Sequence, residues 1–413
     1  MTGWGGDRAV LLVGLVALAI GRPAASVAQE TEIPGSGVAA ADTVEATPPR
    51  VGHGDKGFEI ESGDFLIQIQ PRFQFRYAFP FDNDPDTNLE QGGDQQLFKL
   101  NRARMKIGGH AFSPSLKYFF EYELMAGALL DFRVMFEQWR EVRFKVGQWK
   151  VHFNRERVIS SGRQQLADRS IINRFFTVDR QQGVSVNGRL SAGGAADVSY
   201  WVSTFTGTGR AARENDDTAL MWMGRLQWNL FGREVPFVGS DLGRSPPTGL
   251  IAVGAVTNRS PFTAFAQVGG LQLPGFEDGV AGQYRVKQAT LETAFMSAGF
   301  AWQSELHWKE INDTVNGETT VLRGGYGQLG YFFAGLIDGF PPELEFAARY
   351  ALLDDNREEF DDLRTEFALA ANWFFSGHNN KLTAEIGVLT DENPIDSLDV
   401  DGTRFRVQWD VSF

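Results

Sequence analysis

Basic side chains fall at alternate positions along several stretches of this 413-residue chain: Arg72 and Arg76, then Arg102, Arg104 and Lys106, then Arg143 and Lys145. A separate segment, 154–181, holds Arg155, Arg157, Arg163, Arg169, Arg174 and Arg180 against Glu156, Asp168 and Asp179. Arginine dominates both sets. A guanidinium is planar, offers paired N–H donors to a carboxylate or phosphate, and keeps its charge when partly dehydrated. The chemistry these residues suit is reversible anion binding rather than bond making. Cysteine is absent, and the five histidines (His53, His110, His152, His307, His378) stand in separate segments with no HxxxH or nucleophile-elbow context. Asp82-x-Asp84-x-Asp86 begins like a calcium loop but lacks its glycine and distal glutamate. The chain is therefore expected to have no catalytic residue, metal or cofactor.

Alternation of this kind requires extended backbone, because successive side chains of a strand point to opposite faces. From Phe65 to Phe79 the odd positions are apolar or aromatic except Pro71, while the even ones are mostly Gln or Arg. The same period returns at 102–111, 116–124, 300–309 and 404–413. Strands of this length, apolar on one face and charged on the other, suit a closed sheet with lipid outside and water inside, where every backbone group is paired. The expected fold is all-β, a transmembrane antiparallel β-barrel. Sixteen strands are placed near 64–79, 97–112, 115–125, 129–139, 142–153, 182–191, 196–206, 218–231, 248–258, 284–296, 299–311, 320–333, 343–353, 363–375, 381–390 and 403–413. An eighteen-strand count using Thr263 to Gly269 is the alternative. Short turns should gather at one end and long loops at the other, yet 232–248 is long for its end and 125–128 is short.

Residues 9–20 are an apolar run bounded by Arg8 and Arg22. As a helix it covers about 18 Å at ~1.5 Å per residue, short of the ~30 Å hydrocarbon core. It reads as a cleavable signal peptide over 1–28, followed by a flexible periplasmic leader at 29–57 and the barrel at 58–413. The last strand ends on Phe413 with Trp409 and Val411 on the same face. That ending looks like the signal read by the outer-membrane barrel assembly machinery. Six tryptophans (Trp149, Trp222, Trp228, Trp308, Trp373 and Trp409) are expected in lipid-facing girdles. The location implied is a Gram-negative type outer membrane, with its lipids and lipopolysaccharide as neighbours.

Val146-Gly147-Gln148-Trp149-Lys150-Val151-His152-Phe153-Asn154-Arg155-Glu156 resembles a strand end of the phosphate-selective porin O and P family. Asp179 to Gly188, Leu344 to Tyr350 and Ala371 to Phe375 are similar to later strands of that family, and the likeness spans roughly 58–413. His152 stands where the family usually has proline. The resemblance implies a homotrimeric sixteen-stranded porin that conducts phosphate or polyphosphate through an arginine- and lysine-lined pore.

The formal charge of −13 excludes a general nucleic-acid partner. Its placement says more than its total. Segments 81–96, 354–362 and 391–402 together hold sixteen acids and one base. The strand positions opposite the apolar faces hold nineteen bases, Arg285 and Lys287 among them, against twelve acids. The segment 154–181 is too long for a hairpin turn and is expected to fold into the lumen as a constriction. The expected function is a passive channel favouring small anions, with Arg72, Arg76, Arg102, Arg104, Lys106, Arg143, Lys145, Arg155, Arg157 and Arg163 lining the pore. A general diffusion pore is the alternative, in which the arginines pair with wall carboxylates. A membrane-embedded adhesin would need a plugged barrel and larger outer loops, and an enzyme a Ser/His/Asn or Asp/His cluster at one rim, which the scattered histidines do not supply.

Overall fold

The computed structural model describes residues 48–82, 96–210, 214–265, 272–354, 363–391 and 400–413. The expected signal peptide, most of the leader and most of the three acidic segments lie outside them. Extended segments begin and end close to where the alternation does. They are β1 (Arg50–Gly54), β2 (Gly57–Ser62), β3 (Phe65–Phe79), β4 (Leu97–Ala111), β5 (Ser113–Glu123), β6 (Ala128–Phe136), β7 (Arg143–Lys150), β8 (Arg180–Leu190) and β9 (Val198–Phe205). There follow β10 (Met221–Leu230), β11 (Thr248–Ser260), β12 (Tyr284–Ser297), β13 (Phe300–Asp313), β14 (Thr319–Phe332), β15 (Leu344–Asp354), β16 (Leu363–Ser376), β17 (Asn380–Asp391) and β18 (Val400–Ser412).

Each strand from β3 to β18 pairs antiparallel with the next. The sheet closes where β18 meets β3, from Phe405 opposite Phe79 to Ser412 opposite Arg72. The result is the expected barrel of sixteen strands. The sheet has two more strands, but not at Thr263–Gly269, where the described residues contribute a single bridge between Val178 and Phe265. They are the hairpin β1–β2, whose second strand pairs with Phe65–Ile69 of β3, below the point where β18 ends. Arg50–Gly54 is thus paired strand, although it falls in the stretch read as leader.

Exposure is the reverse of a water-soluble protein. Outward Leu306, Trp222 and Val253 are 60, 55 and 52% exposed, while inward Glu292, Glu305 and Glu366 are fully buried. Only a lipid exterior makes the first set favourable, since apolar area left in water opposes folding. Short connections gather at one end, as at Ala298–Gly299, where two successive positive φ values (50° and 89°) suit a tight hairpin between right-twisted strands.

The long connection at the short-turn end, 231–247, folds into the lumen. Its Gly239 N–H donates to the Arg163 carbonyl at 2.8 Å, and Ser240 Oγ donates to Glu345 at 2.7 Å. The segment 151–179 enters from the opposite end and meets it. Where the segment 151–179 packs on the wall, the inside of the barrel is a protein core, with Trp149, Phe153, Phe176, Phe205, Tyr284 and Val286 among its buried members, and Val235 of the other loop joins a smaller core with Leu250 and Met296. This overturns two expectations. Trp149 is not in a girdle: it points inward, 2% exposed, with its ring 5.3 Å from that of Phe205. Arg285 and Lys287 face outward and are exposed, because Tyr284 and Val286 take the inward positions of β12 beneath the loop.

Candidate functional site in the lumen

The inner loop is fastened through its backbone. The Arg155 N–H donates to Glu292 at 3.0 Å, Glu156 N–H to Glu305 at 2.6 Å, Ala167 N–H to Glu385 at 2.8 Å and Ile171 N–H to Glu366 at 3.2 Å. Gln165 adds a side-chain bond to Glu345 at 2.9 Å. These five glutamates stand on β12, β13, β15, β16 and β17, all on inward positions. A buried carboxylate without partners is costly, so each tie needs support from the wall. Arg225 grips both oxygens of Glu292 at 2.7 Å. Arg349 and Arg404 reach Glu366 at 2.9 and 2.6 Å, and Arg406 holds Glu385. One half of the wall is thereby committed to holding protein rather than solute.

Among the described residues, two cavities lie inside the barrel along β3–β8. The one nearer the long-loop end has a volume of about 260 Å³. Arg102, Arg104, Lys150 and Arg180 line it from the strands, Arg157 and Arg169 from the inner loop, and Arg210 from the connection after β9. Among the described residues two carboxylates, Glu123 and Asp179, line it beside these seven basic side chains. Arg104 is paired with Glu121 at 3.0 Å and Glu123 at 2.7 Å, Arg157 with Asp179 at 2.9 Å, and the buried Arg180 with Asp131 at 2.5 Å and Glu121 at 3.3 Å. Arg169 donates instead to the carbonyls of Glu156 and Ile159 at 3.0 and 2.7 Å, which orient the guanidinium without cancelling its charge. Burial, reinforced by the neighbouring Arg157 cation, lowers Arg169 to about 9. Burial pushes the Asp179 carboxyl up, but Arg157 and Arg180 outweigh it and hold that group below the usual range. The second cavity, of about 420 Å³, lies toward the short-turn end and includes Lys106 and Arg163.

The candidate residues divide accordingly. Arg102, Arg104, Lys106, Arg157 and Arg163 line these cavities. Arg143 and Lys145 stand on β7 and line neither. Arg72, Arg76 and Arg155, expected on the passage, are at most 2% exposed. Arg72 is spent on Asp410 and Ser161, and Arg76 on Asp82 at 2.9 Å, Asp168 at 3.1 Å and the Ala167 carbonyl at 2.9 Å. Arg155 packs over the Phe237 ring and donates to the carbonyls of Pro236 and Val238, joining the two inward loops. The reason is the same for all three: inward alternation puts a side chain inside the barrel, but the loop decides whether water or protein meets it. Lys150, Arg169, Arg180 and Arg210 line the first cavity without being among the ten residues expected on the pore. The first three could have been found from the basic loop and the strand ends that flank it; Arg210 carries no signal in the sequence.

Asp82, the first acid of the calcium-like spacing, is taken by Arg76 and Lys99; Asp84 and Asp86 lie outside the described residues. Among the described residues no cluster of three or more His, Asp or Glu side chains is placed to hold a metal ion.

The family model described as phosphate-selective porin O and P matches residues 277–413, the stretch that carries β12–β18. This bears out the resemblance read from the late strands. No curated protein matches the chain. Solved structures match it in fold. An anion-selective porin from Comamonas acidovorans superposes with a TM-score of 0.55 at 11% identity, over 84% of this chain and 99% of that one. OmpT, an outer-membrane protein of Vibrio cholerae, gives 0.54 at 12% identity over 86 and 99%. The outer-membrane channel DcaP of Acinetobacter baumannii gives 0.54 at 10% identity over 86 and 99%.

Proposed function

We propose that this chain is an outer-membrane porin, a passive channel that favours small anions, phosphate and related oxyanions among them. The observation that carries the reading is the division of charge within the lumen. Glutamates on β12–β17 are used up in holding the inner loop, while among the described residues seven basic side chains and two carboxylates line the cavity beside it. A narrow, low-dielectric passage focuses the field of such an excess and raises the local concentration of anions. Arginine adds paired donors matched to oxyanions. The family matched by the C-terminal third, and the anion selectivity stated for the Comamonas porin, support the same direction.

In this reading Arg102, Arg104, Lys106, Arg157 and Arg163, joined by Lys150 and Arg169, meet the solute. The assembly proposed is a homotrimer, as in the trimer form of the Vibrio cholerae protein. The chain is exported by its signal peptide and inserted through the strand that ends at Phe413, among outer-membrane lipids and lipopolysaccharide. Reversal potentials in planar bilayers under a potassium chloride gradient test the proposal. Chloride preference at neutral pH is expected; cation preference overturns the anion reading, and no conductance overturns the porin. The double pairing of Arg104 favours a second reading, a general diffusion pore, which would give a permeability ratio near one and no saturation by phosphate.

A further inference from the structure

The cavity toward the short-turn end differs from the one above it in what its walls are made of. The cations Lys56, Lys106, Lys117, Arg133 and Arg163 line it, and among the described residues that line it none is a carboxylate. Lys117 is tied to Glu137 at 2.7 Å and Arg133 to Asp131, while Lys106 Nζ donates to the neutral Gln70 side chain at 3.2 Å. Beside these cations Leu66, Phe119 and Met135 line the same space and stay partly exposed. Other inward apolar side chains are covered by the two loops: Trp149, Phe205, Leu250 and Met296 are at most 2% exposed.

An uncovered apolar group facing a water-filled lumen is unfavourable on its own, and three together beside cations form a two-sided surface. Phe119 is also held in place. Its ring lies against Gly108, where an added Cβ would come within 3.1 Å of Phe119 Cδ2, and the Arg133 guanidinium sits 4.4 Å over the ring centre. Beside the aromatic on the same wall, Lys106 stands two residues along β4 from Gly108, the register partner of Phe119, and Arg163 supplies charge from the inner loop. Inorganic oxyanions would engage only the charged side of this surface. A flat apolar body carrying one carboxylate engages both.

We infer that this cavity is a binding station for small organic anions of the arylcarboxylate class, with the carboxylate between Lys106 and Arg163 and the ring against Phe119, Leu66 and Met135. The station presupposes the anion channel proposed above and narrows its solutes. The test uses the full-length channel in a planar bilayer carrying chloride current, with benzoate or acetate added to both sides. Benzoate is expected to halve the current at a concentration about tenfold below that of acetate, the scale of one well-placed aromatic contact. Phe119→Gln should remove most of that difference and Phe119→Tyr should keep it. Should Phe119→Gln fail to assemble, Met135→Gln tests the same face, and the wild-type comparison needs no variant. Equal block by benzoate and acetate, or a difference that survives both glutamine variants, overturns the station. Reversal potentials in the same membranes keep the two claims apart. Cation preference refutes the channel reading, whereas anion preference with equal block refutes this inference alone.

Discussion

The Ala167 amide donates to the Glu385 carboxylate at 2.8 Å, joining residues 218 positions apart in the chain. The other Glu385 oxygen receives Arg406, and Arg404 lies 3.6 Å away. One acid side chain thus holds the loop and balances wall cations at once. Glu292 and Glu366 repeat the arrangement with Arg225, Arg349 and Arg404. The open bore of the barrel is therefore set by carboxylates that no solute touches.

Replacing Glu385 with alanine should release Ala167 and leave Arg404 and Arg406 undercompensated. Removing one partner of a buried ion pair typically costs about 3–5 kcal/mol. Larger and flickering single-channel currents are expected, together with a lower unfolding temperature in detergent. Quiet currents of wild-type size would show that the loop is held by other means.

Arg155 and Arg157 are neighbours on one helical turn with opposite duties. Arg157 is 16% exposed and lines the basic cavity, whereas Arg155 is buried between the two inward loops. Arg157→Gln should reduce the chloride-to-potassium permeability ratio, with a loss of stability limited by Arg180, which stays 3.6 Å from the Asp179 carboxylate that Arg157 leaves. Arg155→Gln should leave that ratio near wild type and lower stability by about 1–3 kcal/mol, the scale for leaving buried carbonyls without a donor. Reversal potentials and thermal melts on the same preparations separate the two, and an exchange of the effects would contradict the assignment.

Asp168 lies 3.1 Å from Arg76 and 3.9 Å from Arg102. Burial pushes its carboxyl up, but the Arg76 and Arg102 cations outweigh burial and hold it well below the usual range. With a depressed folded value, the stabilisation from this clasp is complete above the unfolded value of about 3.9 and is lost as pH falls toward the folded value. Channel currents should stay quiet from neutral pH to about 4 and turn noisy only below it. Asp168→Asn should be noisy already at neutral pH. A wild-type transition near pH 6, in the histidine range, would assign the effect to another group.

Gly147 opens the glycine-glutamine-tryptophan-lysine motif, and the fold gives it a reason to be glycine. Its φ is +124°, and a Cβ there would lie 2.2 Å from the Phe132 carbonyl oxygen. Gly147→Ala should cost at least about 1–3 kcal/mol from backbone strain alone and disturb the pairing of β6 with β7. Little heat-modifiable barrel should be recovered. Gly224→Ala, where an added Cβ meets nothing within 4 Å, should assemble normally and serves as the control.

Strand order and number were legible because period two is a local property: Phe65–Phe79 declares its two faces without reference to any other segment. The constriction was legible in outline, since a long arginine-rich connection has few places to go in a barrel. Within it, the roles of Arg155 and Arg157 were not separable. Both are loop arginines flanking Glu156, and what distinguishes them is Pro236 and Val238, whose arrival in the lumen follows from the folding of a different loop.

Trp149, Arg285 and Arg72 show where pattern reading stops. Alternation reports which side of the sheet a residue takes, and the usual inference then assumes water inside and lipid outside. Two loops fold into this lumen, so Trp149 finds a core there and Arg72 a sealed ion pair, while the apolar inward positions of β12 send Arg285 outward. The residues alone determined that the chain closes into a sixteen-stranded barrel with a basic inner loop, because backbone pairing and facial polarity are dictated strand by strand. Tertiary structure alone decided which cations stay open to solute, because each charge is neutralised or left free by partners tens to hundreds of positions away.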